Sequence, residues 1–202
     1  MNGLEILALS PSLLEDYCGF FETTAHTDNP AWDRCYCVDY CGAANAGTDY
    51  DNESPQLRRE HAVRFVKAGL IRGYLAYLEG KAVGWLNVND RSACLQSSGW
   101  EQIMGSTPTQ ADRQKIKSVF CFTVAPALRG RGIAEALLRR AMEDAANQGY
   151  ACMEAYPNKE ETDVFYNYVG PMGLYKKLGF EPWGETENRL IFRKYFNWEH
   201  IL

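Results

Sequence analysis

The hydrophobic pattern changes period near the middle of the chain. Residues 116–124 are apolar except at Lys117, Ser118 and Thr123, the run expected of a strand buried on both faces. Pro126 ends it. From Ile133 the period becomes helical: Ile133, Leu137, Ala141 and Ala145 share one stripe, with Leu138 and Met142 beside them. Gly149 stops that helix. Residues 150–156, YACMEAY, then have the length and β-content of a second strand, parallel to the first through a right-handed crossover.

Upstream, residues 5–9 predict a strand, and Ser10-Pro11 reads as the cap and first residue of a helix to about Glu22. Residues 23–53 have little periodicity and predict surface loop around CYCVDYC. Ser54-Pro55 repeats the cap signal for a helix ending near Gly69, with Leu57, Ala62, Val66 and Leu70 on one face. His61 on that helix reads as a surface or packing residue. Residues 74–78 and 82–88 predict a hairpin around Glu79-Gly80-Lys81. Residues 91–115 predict a loop with one helical turn, placed to line a substrate pocket. Downstream, Pro171 and Gly179 bracket a short helix, and residues 190–196 supply a last strand.

Between the buried strand and the long helix lies Arg129-Gly130-Arg131-Gly132-Ile133-Ala134. A strand, a glycine-rich turn and a helix aim unpaired N–H groups and the positive end of a helix dipole at one spot, which suits a phosphate. Glycines let a ligand approach the backbone, and Arg129 and Arg131 add positive charge. The order matches neither GxxxxGK followed by Ser or Thr nor GxGxxG. On these residues alone, a plain strand-to-helix turn and other phosphate ligands stay open.

Composition narrows the partners. A chain of 202 residues suits one domain over 1–202, and 46% hydrophobic with 23% charged residues is ordinary globular composition. A net charge of -5 argues against nucleic-acid binding and suits a neutral or cationic small substrate. No apolar run is long enough to span a bilayer, and no basic region precedes the first apolar stretch, so no membrane association and a cytoplasmic location are expected. Seven cysteines, an odd number, suggest reduced, buried thiols. Cys35, Cys37 and Cys41 with His26 offer a metal set, but their spacing matches no common finger. Alternation of Cys35, Cys37 and Asp39 against Tyr36, Val38 and Tyr40 predicts a strand there instead, without metal.

Arg-x-x-Gly-x-Ala over residues 129–134, preceded by Val124-Ala125-Pro126, resembles motif A of the GCN5-related N-acetyltransferases (GNAT family). A second point of resemblance is LeuTyrLysLysLeuGlyPhe, residues 174–180, similar to the LYxKxGF signature that closes the same core. The resemblance covers 116–196. The family often carries an Asn seven residues before this tyrosine; here that position is Tyr168. The fold implied is α/β: a mixed, mostly antiparallel sheet with helices on both faces and two splayed central parallel strands.

The activity implied is transfer of an acetyl group from acetyl-CoA directly to a primary amine of a small molecule or peptide. By resemblance, backbone groups of Phe122, Thr123 and Val124 hold the pantetheine arm, and those of Arg129, Gly130, Arg131, Gly132, Ile133 and Ala134 hold the pyrophosphate. Tyr175 takes the place of the family's general acid; a packing aromatic is its other reading. Glu154, in CysMetGluAlaTyr, is the candidate base, against a carboxylate facing solvent or paired with an arginine, with Asp90 and Glu101 behind it. Asp49 and Asp51 lie on candidate pocket loops. Cys121 and Cys152 admit an acyl-cysteine route, but no histidine has sequence support as their base. The alternative is a non-catalytic acyl-CoA sensor. Aromatics such as Trp198 near the C-terminus offer a seat for a second copy of the chain, a homodimer.

Overall fold

The structure is a computed structural model that describes residues 3–40, 50–160 and 167–196. Seven strands form one sheet: β1 (Leu4–Ala8), β2 (Gly73–Leu78), β3 (Lys81–Asp90), β4 (Ile116–Val124), β5 (Cys152–Ala155), β6 (Glu181–Glu185) and β7 (Leu190–Tyr195). Their order is β1-β2-β3-β4-β5-β7-β6. Neighbours are antiparallel except β4 and β5, which run parallel. This is the mixed, mostly antiparallel sheet expected.

Helices cover both faces. On one side α5 (Ile133–Asn147) and α6 (Met172–Lys177) bury Ile133, Leu137, Leu138, Ala141, Ala145, Tyr175 and Leu178 with Leu86, Val119 and Met153 of the sheet. The predicted α5 stripe is thus the buried one. On the other side α1 (Leu14–Thr23), α2 (Pro55–Lys67) and α4 (Ser98–Met104) pack Tyr17, Phe21, Phe65 and Trp100 around Trp85 and Phe120. The hairpin turn at Glu79-Gly80 has positive φ at both residues, as a tight two-residue connection requires.

One irregularity positions the site. β4 and β5 pair only from Ile116↔Cys152 to Val119↔Ala155, and β4 continues to Val124 paired with β3 but not with β5. The β3–β4 register shifts at Asn87/Val88, so Phe120 is an inserted residue opposite β3. A bulge of this kind bends its strand and re-aims side chains: Phe120 and Cys121 both face the α1 side. The parallel strands therefore splay beyond Val119.

Four expectations need correction. Residues 34–40 are not a strand but turns and a 3-10 helix (Val38–Tyr40), with positive φ at Arg34, Tyr36 and Cys37. Tyr36, Cys37, Val38 and Tyr40 are all buried, so the alternation that suggested a strand is not one of inside against outside. Leu57 is 40% exposed, and Phe65 takes its place on the inner face of α2. The segment after β3 holds two short helices, α3 (Arg91–Cys94) and α4, instead of one turn. β6 was not expected: it is exposed throughout and contains Pro182, tolerable because it is an edge strand. Cys41, Asp49, Trp198 and the Asp51 side chain lie outside the described residues.

Candidate active site

The loop from β4 to α5 turns on two glycines at positive φ, Gly130 at 74° and Gly132 at 84°. Side chains are strained at such angles. No atom stands within 4 Å of where a Cβ would project at either, so the demand comes from the backbone and the loop surface stays open. Gly132 caps α5 without a side-chain partner. The N–H groups of Ile133, Ala134 and Glu135 are the first-turn donors that an α-helix leaves unsatisfied, at the positive end of its dipole.

Charge at this mouth is partly balanced. Arg129 forks onto Asp28, with Nη1–Oδ2 at 2.5 Å and Nη2–Oδ1 at 3.2 Å, so its guanidinium is shared with a carboxylate. Glu135 pairs with Lys177 at 2.6 Å and Arg139 at 2.9 Å. Arg131 is exposed.

A cleft of about 380 Å³ starts at this loop and follows the splay. It is lined by Gly130, Gly132 and Ala134 at one end, by Phe122, Thr123 and Val124 along β4, and by Asp39, Tyr40, Gln102 and Tyr168 at the other. The Phe122 N–H points away from β3 and bonds to the Tyr168 carbonyl at 2.6 Å, whereas the Ala125 N–H bonds to Val83 O of β3 at 2.9 Å. Because strand groups alternate edges with period two, the Val124 N–H shares the open edge with that of Phe122.

The far end is aromatic. Trp32 packs on Tyr168 with centroids 5.6 Å apart. Tyr40 donates to the Tyr168 hydroxyl oxygen at 3.4 Å, and Arg189 Nη2 donates to the same oxygen at 3.4 Å. Asp39 accepts from Ser98 Oγ at 3.2 Å. Beside them the Cys35 thiol lies 3.5 Å from His26 Nε2. Burial, helped by the Arg129 charge, pushes the His26 imidazole down to about 4. Burial pushes the Cys35 thiol up. Cys37 is raised well above the usual thiol range by burial and by Cys121, and receives Asn87 Nδ2 at 3.2 Å. These are protonated, weakly nucleophilic thiols at neutral pH. Among the described residues, no group of three or more His, Cys, Asp or Glu could hold a metal ion.

The two motif-level candidates sit elsewhere. Tyr175 is fully buried, its hydroxyl donating to the Val169 carbonyl, and burial keeps the phenol far above its ordinary titration range. Gly170, at φ 88°, lets the chain pass close: a Cβ there would stand 2.8 Å from the Tyr175 hydroxyl and 2.9 Å from the Phe122 ring. Glu154 is 1% exposed and held by Arg193 Nε at 2.6 Å, by the Tyr156 hydroxyl at 2.6 Å and by Arg91 at 3.7 Å. It lines a separate cavity of about 150 Å³ with Trp100 and Trp183, not the cleft.

Asp90, Glu101 and Cys152 also do not line the cleft. Burial alone would raise the Asp90 carboxyl, but the Tyr150 hydroxyl and the Lys117, Arg72 and Lys115 charges hold it below the usual range. Glu101 is exposed on α4, and burial lifts Cys152 to about 11. His61 is a packing residue between Tyr50 and Phe65, with its Nε2 3.2 Å from Glu53 Oε2. Sequence reasoning passed over Trp32, Asp39, Tyr40 and Gln102, which no local motif marks; the only signal for Tyr168 was its place seven residues before Tyr175.

Residues 71–182 match the family model for an acetyltransferase (GNAT) domain, more than half of the chain. The chain belongs to the GNAT family. A search of curated proteins finds no match. Solved GNAT-fold structures are similar over nearly the whole length. The PaiA N-acetyltransferase of Thermoplasma acidophilum, in complex with coenzyme A, is 16% identical with a TM-score of 0.55, covering 96% of this chain and 99% of that one. A GNAT acetyltransferase of Streptococcus pneumoniae is 15% identical with a TM-score of 0.53, over 96% and 99%. The ribosomal-protein-S18-alanine N-acetyltransferase of Escherichia coli is 13% identical with a TM-score of 0.52, over 98% of both chains. At such identities the likeness is one of fold.

Proposed function

We propose that this chain transfers an acetyl group from acetyl-CoA directly to a primary amine of a small molecule or peptide. The observation that carries the reading is the single cleft joining the uncapped N-terminus of α5 to the open edge of β4 and the aromatic end beyond it. Acetyl-CoA supplies the thioester. The N–H groups of the loop from Arg129 to Ala134 would take its pyrophosphate, and the open-edge groups of Phe122 to Val124 would pair with its extended arm. Because Tyr168 already uses the Phe122 N–H, the Val124 N–H is the donor left at that edge.

For a base, Asp39 is the carboxylate at the amine's end of the cleft, and Glu154 serves as a fixed counter-ion to Arg193 and Arg91. Tyr175 could act as general acid only by turning its O–H away from Val169. We read the whole chain as one such domain, because β1 near its start and β7 near its end belong to one sheet. A cytoplasmic location is supported by the six free cysteines among the described residues. In the described residues no helix is long and apolar enough to cross a membrane.

The test is release of free thiol from acetyl-CoA against a panel of small amines and short peptides. Release with at least one amine supports the transferase. Binding of acetyl-CoA with no release across the panel favours the second reading, a non-catalytic acyl-CoA sensor, which the commitment of the Tyr175 proton to Val169 and of Glu154 to two arginines also favours.

A further inference from the structure

Tyr168 is held where the cleft leaves β4. Its carbonyl accepts the Phe122 N–H at 2.6 Å, in the splay where β5 no longer pairs. Its side chain lines the cleft, half-buried, against Trp32. A phenol has one proton to donate and two lone pairs to accept with. Here Tyr40 and Arg189 Nη2 both donate to the Tyr168 oxygen. Its own proton is therefore directed elsewhere, and the side open to it is the cleft. Tyr175, in contrast, spends its proton on Val169.

From this difference we propose that Tyr168, not Tyr175, is the proton donor to the leaving sulfur. The inference rests on the acetyl-transfer reading above. The amine nitrogen attacks the thioester carbon and the carbonyl π pair moves to oxygen. When the carbonyl re-forms, the C–S bond breaks and sulfur keeps the pair. Sulfur then takes the Tyr168 proton, leaving a phenolate beside the Arg189 guanidinium and the Tyr40 hydroxyl. The proton that Asp39 takes from the amine nitrogen, passed on through Tyr40 or solvent, restores the phenol. Arg189 is a positioning and charge-stabilising residue: its Nε is buried without a hydrogen-bond partner among the described residues, and its guanidinium carbon lies 5.8 Å from the Tyr168 ring centroid. Tyr175 has a different task, fixing the Val169 carbonyl next in the chain and so the course of the segment carrying Tyr168.

The experiment uses coenzyme A itself, so no acceptor is needed. Affinity is measured by calorimetry, and titration of the bound thiol is followed by its thiolate absorbance, in the unaltered protein and in Tyr168→Phe, Tyr175→Phe and Arg189→Gln. A donor hydrogen bond to sulfur favours the thiolate, so Tyr168→Phe is expected to bind coenzyme A within about threefold at pH 6 yet raise the thiol titration by about one pH unit. Arg189→Gln is expected to move it in the same direction by less, and Tyr175→Phe to leave it in place. An unchanged titration in Tyr168→Phe, or a shift confined to Tyr175→Phe, overturns the assignment. Failure of the unaltered protein to bind coenzyme A overturns the functional reading beneath it, which the calorimetric arm distinguishes.

Discussion

The Tyr168 carbonyl accepts the Phe122 N–H at 2.6 Å. This bond ties the segment before α6 to β4 just beyond the last β5 pair, and it decides which residues face the cleft. The neighbouring Val169 is held from below by Tyr175. Two consecutive carbonyls thus have different anchors, one on the sheet and one in the core.

The lower anchor is testable through stability. Val169 is 1% exposed, so its carbonyl would find little water if the Tyr175 hydroxyl were removed. Tyr175→Phe is expected to cost about 1–3 kcal/mol, the penalty for a buried unsatisfied acceptor, read as a lower urea midpoint with unchanged slope. An unchanged midpoint would show that the Val169 bond contributes nothing.

Glu154 is expected to matter for folding more than for chemistry. Arg193 and Glu154 side chains are 3% and 2% exposed, and removing one charge of such a pair strands the other; measured costs are roughly 3–5 kcal/mol. Glu154→Gln keeps some hydrogen bonding, so a loss of about 2–4 kcal/mol is expected in urea unfolding, with the acidic limb of the transfer rate unmoved. A shifted limb with full stability would return Glu154 to the role of base.

Asp28 restrains Arg129. Asp28→Asn frees the guanidinium for a phosphate and removes a repelling carboxylate, so acetyl-CoA should bind about fivefold tighter at low salt, an effect of about 1 kcal/mol that shrinks as salt rises. Arg129→Gln should weaken binding by a similar factor without abolishing it. Calorimetry at two ionic strengths checks both; equal affinities in all three proteins would remove Arg129 from the site.

How legible was this in the sequence? β4, α5 and the loop between them were readable because each local signal agreed: a continuous apolar run, a stop at Pro126, glycines at the two positive-φ positions and an amphipathic stripe. β6 was not, because Glu181, Pro182 and Glu185 give it no hydrophobic face; pairing with β7, with Trp183 over Arg193, makes it a strand. Residues 34–40 misled because Tyr36, Cys37, Val38 and Tyr40, from both phases of the alternation, are drawn inside by contacts with α1 and β4 that no local pattern encodes. The loop proposed to hold the coenzyme was visible for the same local reason as α5. The far end of the cleft was not, since Trp32, Asp39, Gln102 and Tyr168 come together only through the sheet.

His26 sets a pH limit. Its imidazole is pushed from 6.5 to about 4 by burial, so the folded protein resists a proton that the unfolded chain accepts. The stability this represents is intact above about pH 6.5 and is lost progressively as pH falls toward about 4, reaching roughly 3 kcal/mol at most. His26→Gln should flatten that part of the stability-versus-pH curve. A variant with the same slope between pH 6.5 and 4 would assign the loss to other groups.

The central claim is that the α5 N-terminal loop holds the acetyl donor. Calorimetric titration of acetyl-CoA into the unaltered protein and into Gly132→Val tests it most directly: at φ 84° a β-branched residue strains the backbone, and nothing lies within 4 Å of the added Cβ to disturb the core. The account predicts binding in the unaltered protein and a loss of at least tenfold in the variant, with both folded by circular dichroism. Equal affinity in two folded proteins would contradict it.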